Sequence, residues 1–134
     1  MSWSGVKQTT NNQPIINWCE EMGIENYIVN SQGEIDVDDD VWLNNKDIKE
    51  LPYKFGKVNG YFSLSGCKNL TSLKNCPYFV GGSFDVYGCS KLDSLEGCPK
   101  EVKSNFWCKD CKKKFTKEEV MSLCKVKRGI YKRL

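Results

Sequence analysis

Apolar residues recur at a spacing of twenty-two residues through the middle of the chain. Three stretches superimpose at this spacing, 48–67, 70–89 and 92–111. A fixed period of this length is the signature of a solenoid, in which each unit buries its apolar face against its neighbours. The pattern therefore predicts stacked coils with a row of side-by-side strands. The aligned columns are Ile48, Leu70 and Leu92; Leu51, Leu73 and Leu95; Val58, Val80 and Val102; Phe62, Phe84 and Phe106; Leu64, Val86 and Cys108; and Cys67, Cys89 and Cys111.

An incomplete earlier unit precedes these three. Val41 and Leu43 lead into Ile48 and fit the same columns if one residue is deleted from the bend. The repeats then run from residue 41 to residue 111 and comprise about three and a half units. We therefore expect an α+β protein built on a small β-solenoid.

The amino-terminal region, residues 1–40, has the features of a cap made of a helix and a hairpin. A solenoid needs such caps because its terminal units would otherwise expose their apolar faces. Segments 27–29 and 34–37 are short apolar stretches around a turn-forming segment, which predicts two paired strands. A short amphipathic helix is predicted before this hairpin. Pro14 suits the first helical position, and Gly23 provides a stop. The apolar residues between them recur at helical spacing: Ile15, Trp18, Cys19 and Met22.

The carboxyl-terminal region, residues 112–134, predicts a helical cap and a basic tail within the same single domain. Thr116 and Glu119 have the spacing of a capping box, and Phe115 and Val120 that of a hydrophobic staple. The helix that follows is expected to face the last repeat through Val120, Leu123 and Cys124, and a final strand is expected at 129–131.

Within each unit, the pattern F-x-L-x-x-C-x-x-L-x-x-L resembles the leucine-rich repeat. The segments LTSLKNCP at 70–77 and LDSLEGCP at 92–99 are similar to short bacterial and bacteriophage leucine-rich-repeat-like proteins with 22-residue repeats of the "LTSLEGCP" type. The resemblance covers residues 41–111. It implies a binding protein without enzymatic activity. This sequence departs from the leucine-rich-repeat pattern at one position. It has a valine four residues before each strand phenylalanine, where the pattern has a leucine three residues before.

Eight cysteines in a chain without histidine are the main chemical feature of the composition. The chain has no apolar run of membrane-spanning length and no signal-peptide core at its start, so we expect a soluble cytoplasmic protein with reduced thiols. Six cysteines coincide with repeat columns, which favours buried apolar side chains and no metal or other cofactor. The alternative is a cysteine-rich zinc module that binds nucleic acid, because Cys108 and Cys111 have the spacing of a zinc knuckle and Cys98 or Cys124 can complete the ligands.

Charge is distributed unevenly along the chain. Residues 1–99 hold eight lysines and thirteen acidic residues, whereas residues 100–134 hold twelve basic and four acidic residues. The excess of basic residues in 100–134 predicts a basic patch, and a patch of this kind attracts phosphate-rich ligands. The alternative interpretation is a solvated lysine-rich surface. We call the candidate binding residues of this patch the basic end: Lys109, Lys112, Lys113, Lys114, Lys127, Arg128, Lys132 and Arg133.

A second candidate surface lies on the strand positions that point away from the core. Because side chains alternate along a strand, the residues beside each core phenylalanine are expected outside. This places Trp42, Ser63, Asp85 and Trp107 in one exposed column, Tyr61, Ser83 and Asn105 in a second, and Tyr87 with Lys109 in a third. Rigid exposed Trp and Tyr side chains are typical anchors of a binding surface. The alternative is that the caps fold over Trp42 and Trp107. The candidate binding residues are Trp42, Tyr61, Asp85, Tyr87 and Trp107.

The sequence contains no recognisable catalytic motif. It has no histidine to act as a general base and no nucleophile elbow or phosphate-binding glycine loop. The acidic segment 36–40 lacks the glycine and the terminal glutamate of a calcium loop. We expect a non-enzymatic protein that binds a protein or a protein–RNA complex, with no membrane and no small-molecule substrate. The resemblance to phage proteins implies an inhibitor of a bacterial defence system, of the anti-CRISPR kind, acting in the host cytoplasm.

Overall fold

Each coil of the chain contributes one short strand to each of two sheets in the computed structural model, which describes residues 5–131, with side chains from residue 12 onward. The result is a β-solenoid of about four turns with two helices, which confirms the predicted fold class. The elements are α1 Gly5–Glu21, β1 Tyr27–Val29, β2 Ile35–Val37, β3 Val41–Trp42, β4 Phe55–Val58, β5 Phe62–Ser63, β6 Phe79–Val80, β7 Phe84–Asp85, β8 Glu101–Val102, β9 Phe106–Trp107, α2 Lys117–Leu123, β10 Lys125–Val126 and β11 Ile130–Tyr131.

The strands form two sheets that lie on opposite sides of a shared core. We call the six-stranded sheet, in the order β1-β2-β4-β6-β8-β10, sheet A, and the five-stranded sheet, in the order β11-β9-β7-β5-β3, sheet B. All neighbouring strands are parallel except β1 and β2, which form the predicted antiparallel hairpin. The phenylalanine column belongs to sheet B, where Phe62 pairs with Phe84 and Phe84 with Phe106.

The valine column that departs from the leucine-rich-repeat pattern has a structural cause. Val58, Val80 and Val102 pair with one another as the last residues of three strands of sheet A. A β-branched side chain suits a strand, and each valine is completely buried. The coil therefore carries a strand on both of its sides, and the second strand is a feature that the repeat pattern does not predict.

The buried columns confirm the repeat register. The rings of Phe62, Phe84 and Phe106 are fully buried and in contact: the first pair is stacked, with ring centroids 6.1 Å apart, and the second pair is tilted, with centroids 5.1 Å apart. Leu70 and Leu92 are also fully buried. The incomplete first unit joins the same columns, since Val41 pairs with Phe62 at a spacing one residue shorter than the repeat.

The thiols lie where the repeat columns predict. Seven of the eight cysteines are buried, and Cys111 is half-buried. The thiols of Cys67, Cys89 and Cys111 form a ladder in which each donates to a backbone carbonyl of the preceding coil, at 3.1, 3.2 and 3.3 Å. Cysteine suits this position because its small side chain fits the buried space and its S–H group donates to a carbonyl oxygen.

The amino-terminal cap differs from the prediction in one respect. Helix α1 begins at Gly5, so Pro14 lies inside the helix and the predicted start at Pro14 is wrong. Proline has a φ that fits a helix, and inside a helix it removes one hydrogen bond and crowds the carbonyl four residues before it, so a proline does not by itself define where a helix starts. Trp18 packs edge-on against Tyr53 and Phe55, with ring centroids 5.9 Å apart in each case. Gly23 ends the helix with a φ of 74°.

The carboxyl-terminal cap forms a further turn of the solenoid. The predicted capping box is present, because the N–H of Glu119 donates to the Thr116 hydroxyl and the Glu119 carboxylate accepts the N–H of Thr116. Cys124 is buried as expected, and Leu123, although 40% exposed, lines a groove together with Leu95 of the last repeat. The helix ends at Leu123, whose side chain also lines an open groove together with Met121 and Ile130. Strands β10 and β11 then extend both sheets.

Candidate binding face

The outer surface of sheet B carries a continuous row of aromatic and acidic side chains. The strand register places five residues side by side across the sheet: Trp42, Ser63, Asp85, Trp107 and Tyr131. Neighbouring strands lie about 4.8 Å apart, so the row is about 19 Å long. We call this surface, formed by Trp42, Tyr61, Asp85, Tyr87, Trp107 and Tyr131, the aromatic face.

A stacked ring pair forms one end of the aromatic face. Trp42 and Tyr61 have ring centroids 4.6 Å apart and an interplanar angle of 24°. Trp42 is 52% exposed, so the amino-terminal cap does not fold over it. Each ring restricts the rotation of the other, which leaves a flat aromatic surface at a fixed position.

Two serines expected on the outer surface are buried. Ser63 and Ser83 are only 1% and 5% exposed, so that part of the prediction is wrong. The cause at Ser63 is Tyr61, whose ring stacks on Trp42 and whose hydroxyl donates to the Asp85 carboxylate at 3.2 Å. Because Ser63 lies between Trp42 and Asp85 in the register, the tyrosine side chain passes over it. The hydroxyl of Ser83 accepts a hydrogen bond from the backbone N–H of Asn105 in the next coil, at 3.0 Å.

Asp85 lies at the centre of the aromatic face and is half-buried. One carboxylate oxygen accepts the N–H of Tyr87 at 2.8 Å, and the other accepts the hydroxyl of Tyr61. Burial raises the pKa of Asp85 above its usual value, and these two hydrogen bonds oppose the rise. The pKa of Tyr61 rises to about 12 through burial, the negative charge of Asp85 and their shared hydrogen bond. Among the described residues, no Lys or Arg forms an ion pair with Asp85.

A second stacked pair forms the other end of the aromatic face. The rings of Trp107 and Tyr131 have centroids 4.2 Å apart and an interplanar angle of 19°. Trp107 is half-buried by this contact, while Tyr131 remains 42% exposed. The last strand thus widens the face and does not cover it. Sequence analysis missed Tyr131 as a binding residue, because its distance from Trp107 along the chain does not match the repeat period.

Tyr87 and Lys109 occupy the margin of the aromatic face. Tyr87 is 42% exposed, and the ammonium nitrogen of Lys109 lies 5.6 Å from the centroid of its ring. This distance is within the range of a cation–π interaction. One of the basic-end residues is therefore in contact with the aromatic face itself.

Apart from Lys109, the described residues of the basic end form two groups. Lys112, Lys113 and Lys114 are exposed and follow the carboxyl end of β9. Lys112 lies 3.9 Å from the carboxylate of Asp93, and Lys113 forms an ion pair with Glu119. Lys114 is thus the member of this group for which the structure shows no carboxylate partner among the described residues.

Lys127 and Arg128 lie at the other end of the sheet B strands. Their backbone N–H groups donate to the carbonyls of Val102 and Ser104, which places both residues at the corner between sheets A and B. The two groups therefore flank the last strands of the aromatic face and do not form one continuous patch. Lys132 and Arg133 lie outside the described residues.

Several thiols and carboxylates of the described residues have structural roles. Burial raises the pKa of Cys124 to about 12, which keeps the thiol protonated near neutral pH. In the acidic segment, Asp36 and Asp40 accept the backbone N–H groups of Lys57 and Tyr61 in the next coil, at 2.9 and 2.8 Å. Within residues 12–131, no three His, Cys, Asp or Glu side chains are grouped in a way that could hold a metal ion. No helix of the described chain is both long enough and apolar enough to span a membrane.

The fold and this face define a capped β-solenoid with an aromatic surface on one of its two sheets. Comparison with protein-family models, with curated proteins and with solved structures found no match for the chain.

Proposed function

We propose that this chain is a non-catalytic binding protein that engages a partner protein through the aromatic face. The observation that carries the proposal is the pair of ring stacks, Trp42 with Tyr61 and Trp107 with Tyr131, held on one rigid sheet. Exposed aromatic surface on a soluble protein is typical of interaction sites. Binding would not need to order these side chains, because stacking already fixes them, and this lowers the entropic cost of association.

The surroundings of the aromatic face suit a partner that also carries phosphate. Lys112 and Lys114 lie beyond one end of the sheet B strands, and Lys127 and Arg128 lie beyond the other. We propose a protein–RNA complex as the target, with protein contacted by the rings and phosphate by the flanking cations. The resemblance of the repeats to phage-borne proteins supports the biological setting: an inhibitor of a bacterial defence effector, such as a CRISPR ribonucleoprotein, in the host cytoplasm. That step is an analogy.

Truncation of the two exposed tryptophans tests the proposal. We expect Trp42→Ala and Trp107→Ala each to weaken binding of the partner by roughly 2 kcal/mol or more, as loss of an anchor residue does. The partner is first captured from a host lysate with the wild-type chain, and the affinities of purified variants are then measured by calorimetry. Circular dichroism establishes that each variant is folded.

Tyr78→Ala provides the matched control. Tyr78 is as exposed as Trp42, at 52%, but it precedes β6 on the side of sheet A. It should bind like the wild type. If both tryptophan variants are folded and keep full affinity, the partner uses a different surface and the proposal fails.

A further inference from the structure

The centre of the aromatic face combines a carboxylate with rings on both sides. In the strand register, Asp85 lies one strand from Trp107 and two strands from Trp42. Its oxygens accept hydrogen bonds from Tyr61 and Tyr87, and burial makes its negative charge costly. A half-buried carboxylate on an otherwise aromatic surface is complementary to a cation.

We infer that the aromatic face recognises an arginine side chain of its partner, with Asp85 as the residue that pairs with the guanidinium group. This inference rests on the proposed function and names the chemistry of the partner. It requires the face to bind a positively charged, planar group between its two ring pairs.

The geometry of the carboxylate favours a bidentate ligand. Each carboxylate oxygen offers about two acceptor positions, and each oxygen of Asp85 uses one of them within the described structure. One position on each oxygen is therefore left for a ligand. A guanidinium group donates two parallel N–H bonds to such a pair of oxygens, whereas the ammonium group of lysine is a point charge.

The rings favour the same ligand. The face of a Trp or Tyr ring attracts a cation within about 6 Å, and guanidinium groups stack on such faces. The molecule already contains one example, because the ammonium group of Lys109 lies over Tyr87. An arginine paired with Asp85 would be flanked by Tyr61 on one side and Trp107 on the other.

The same features disfavour nucleic acid at the centre of the face. A phosphate group close to Asp85 would be repelled by the carboxylate, and the described cations of the basic end lie beyond the two ends of the strands, except for Lys109, which lies over the Tyr87 ring at the margin of the face. Bases of single-stranded RNA also stack on aromatic side chains, so an RNA ligand is the competing outcome that the experiment has to separate.

The test uses short peptides and can be carried out before the partner is identified. The full-length protein, labelled with ¹⁵N, is titrated with the capped pentapeptide Ac-Gly-Ser-Arg-Ser-Gly-NH₂ and, separately, with the same peptide carrying citrulline, which keeps the shape of arginine without its charge. The signals of the Trp42 and Trp107 indole N–H groups are followed by NMR. Trp18, which packs against Tyr53 and Phe55 at the far side of the core, is an internal control.

We expect the arginine peptide to shift the Trp42 and Trp107 signals saturably while the Trp18 signal stays in place. The citrulline peptide should bind about tenfold more weakly or worse, since it cannot form a charge-assisted bond to Asp85. Asp85→Asn should weaken the arginine peptide by a similar factor. Asparagine is close in shape to aspartate and can still accept the N–H of Tyr87, so the face is expected to keep its conformation.

Three results would overturn the inference: no saturable shift with the arginine peptide, equal affinity for the citrulline peptide, or saturable binding of a single-stranded oligoribonucleotide at these two tryptophans without binding of the arginine peptide. The comparison of the two peptides on the wild-type protein needs no variant, so it holds even if Asp85→Asn is misfolded. Failure of the inference is distinct from failure of the proposed function. If Asp85→Asn keeps full affinity for the partner protein while Trp42→Ala and Trp107→Ala lose it, only the arginine inference is wrong.

Discussion

Phe84 lies in the middle of the phenylalanine column and provides the strongest test of the fold. Its side chain is completely buried, with ring centroids 6.1 Å from Phe62 and 5.1 Å from Phe106. Phe84→Ala removes the ring from between two neighbours that are held in place by their own strands. The core therefore cannot collapse fully around the vacated volume.

The expected cost is roughly 3 to 5 kcal/mol, the sum of lost transfer free energy and the cavity. Domains of this size are stable by roughly 5 to 15 kcal/mol, so the variant should fold with a much smaller margin. Urea unfolding followed by circular dichroism and tryptophan fluorescence measures the change. The unfolding midpoint should fall by about 2 M or more for a denaturant slope of about 1.5 kcal/mol per M, with the slope itself unchanged.

Tyr78→Ala is the control for this experiment, because it removes an exposed aromatic side chain and should stay within about 0.5 kcal/mol of the wild type. Phe84→Leu keeps part of the apolar volume and should fall between the wild type and Phe84→Ala. A Phe84→Ala protein within about 1 kcal/mol of the wild type would refute the repeat register, since truncation of a fully buried ring typically costs roughly 3 to 5 kcal/mol.

Burial of the thiols makes the fold sensitive to high pH. It raises the pKa values of Cys89 and Cys124 in the folded protein to about 12. Cysteines of the unfolded chain lose their protons above about pH 9, whereas these two keep theirs in the folded state. The contribution of these thiols to the free energy of unfolding should be fully present below pH 9 and should fall by about 1.4 kcal/mol per pH unit for each thiol as the pH rises towards 12. A urea midpoint that stays constant from pH 8 to pH 10.5 would contradict this. The flanking cations should govern the salt dependence of partner binding. The double variant Lys127→Glu with Arg128→Glu should therefore bind more weakly. Its slope of log affinity against log salt concentration should be flatter by about one unit for each phosphate that the variant no longer neutralises. An unchanged slope in the folded variant would show that these residues contact no phosphate.

The repeat period predicts most of sheet B because residues of the same type recur at the same position in successive coils. The fixed spacing of Phe62, Phe84 and Phe106 determines which residues are neighbours, and pairing of successive coils follows directly. The same columns predict the shortened first unit, which the pairing of Val41 with Phe62 confirms. They do not predict the sheet A strands of the repeats, because the leucine-rich-repeat pattern has no strand at the valine column and the two-residue strands that end at Val80 and Val102 are too short for an alternating pattern to indicate them.

The candidate site is harder to predict because it depends on how side chains pack after the coils have formed. Alternation alone predicts the exposed column, yet Ser63 is buried because the Tyr61 side chain extends over it towards Asp85. The position of Lys127 depends on the length of α2, which takes the chain around to the corner between the two sheets. No local pattern in the sequence contains that information.

Photo-crosslinking from two tyrosines of the same coil tests most directly whether the aromatic face engages the partner. Tyr87 lies at the margin of the aromatic face and Tyr78 precedes the sheet A strand of the same coil, and both are well exposed. The photoreactive residue p-benzoylphenylalanine is placed at one or the other position, and the protein is irradiated in a host lysate. A light-dependent adduct with one partner from position 87, and none from position 78, is the result we expect. Adducts with that partner from position 78 and none from position 87 would contradict the assignment of the binding face.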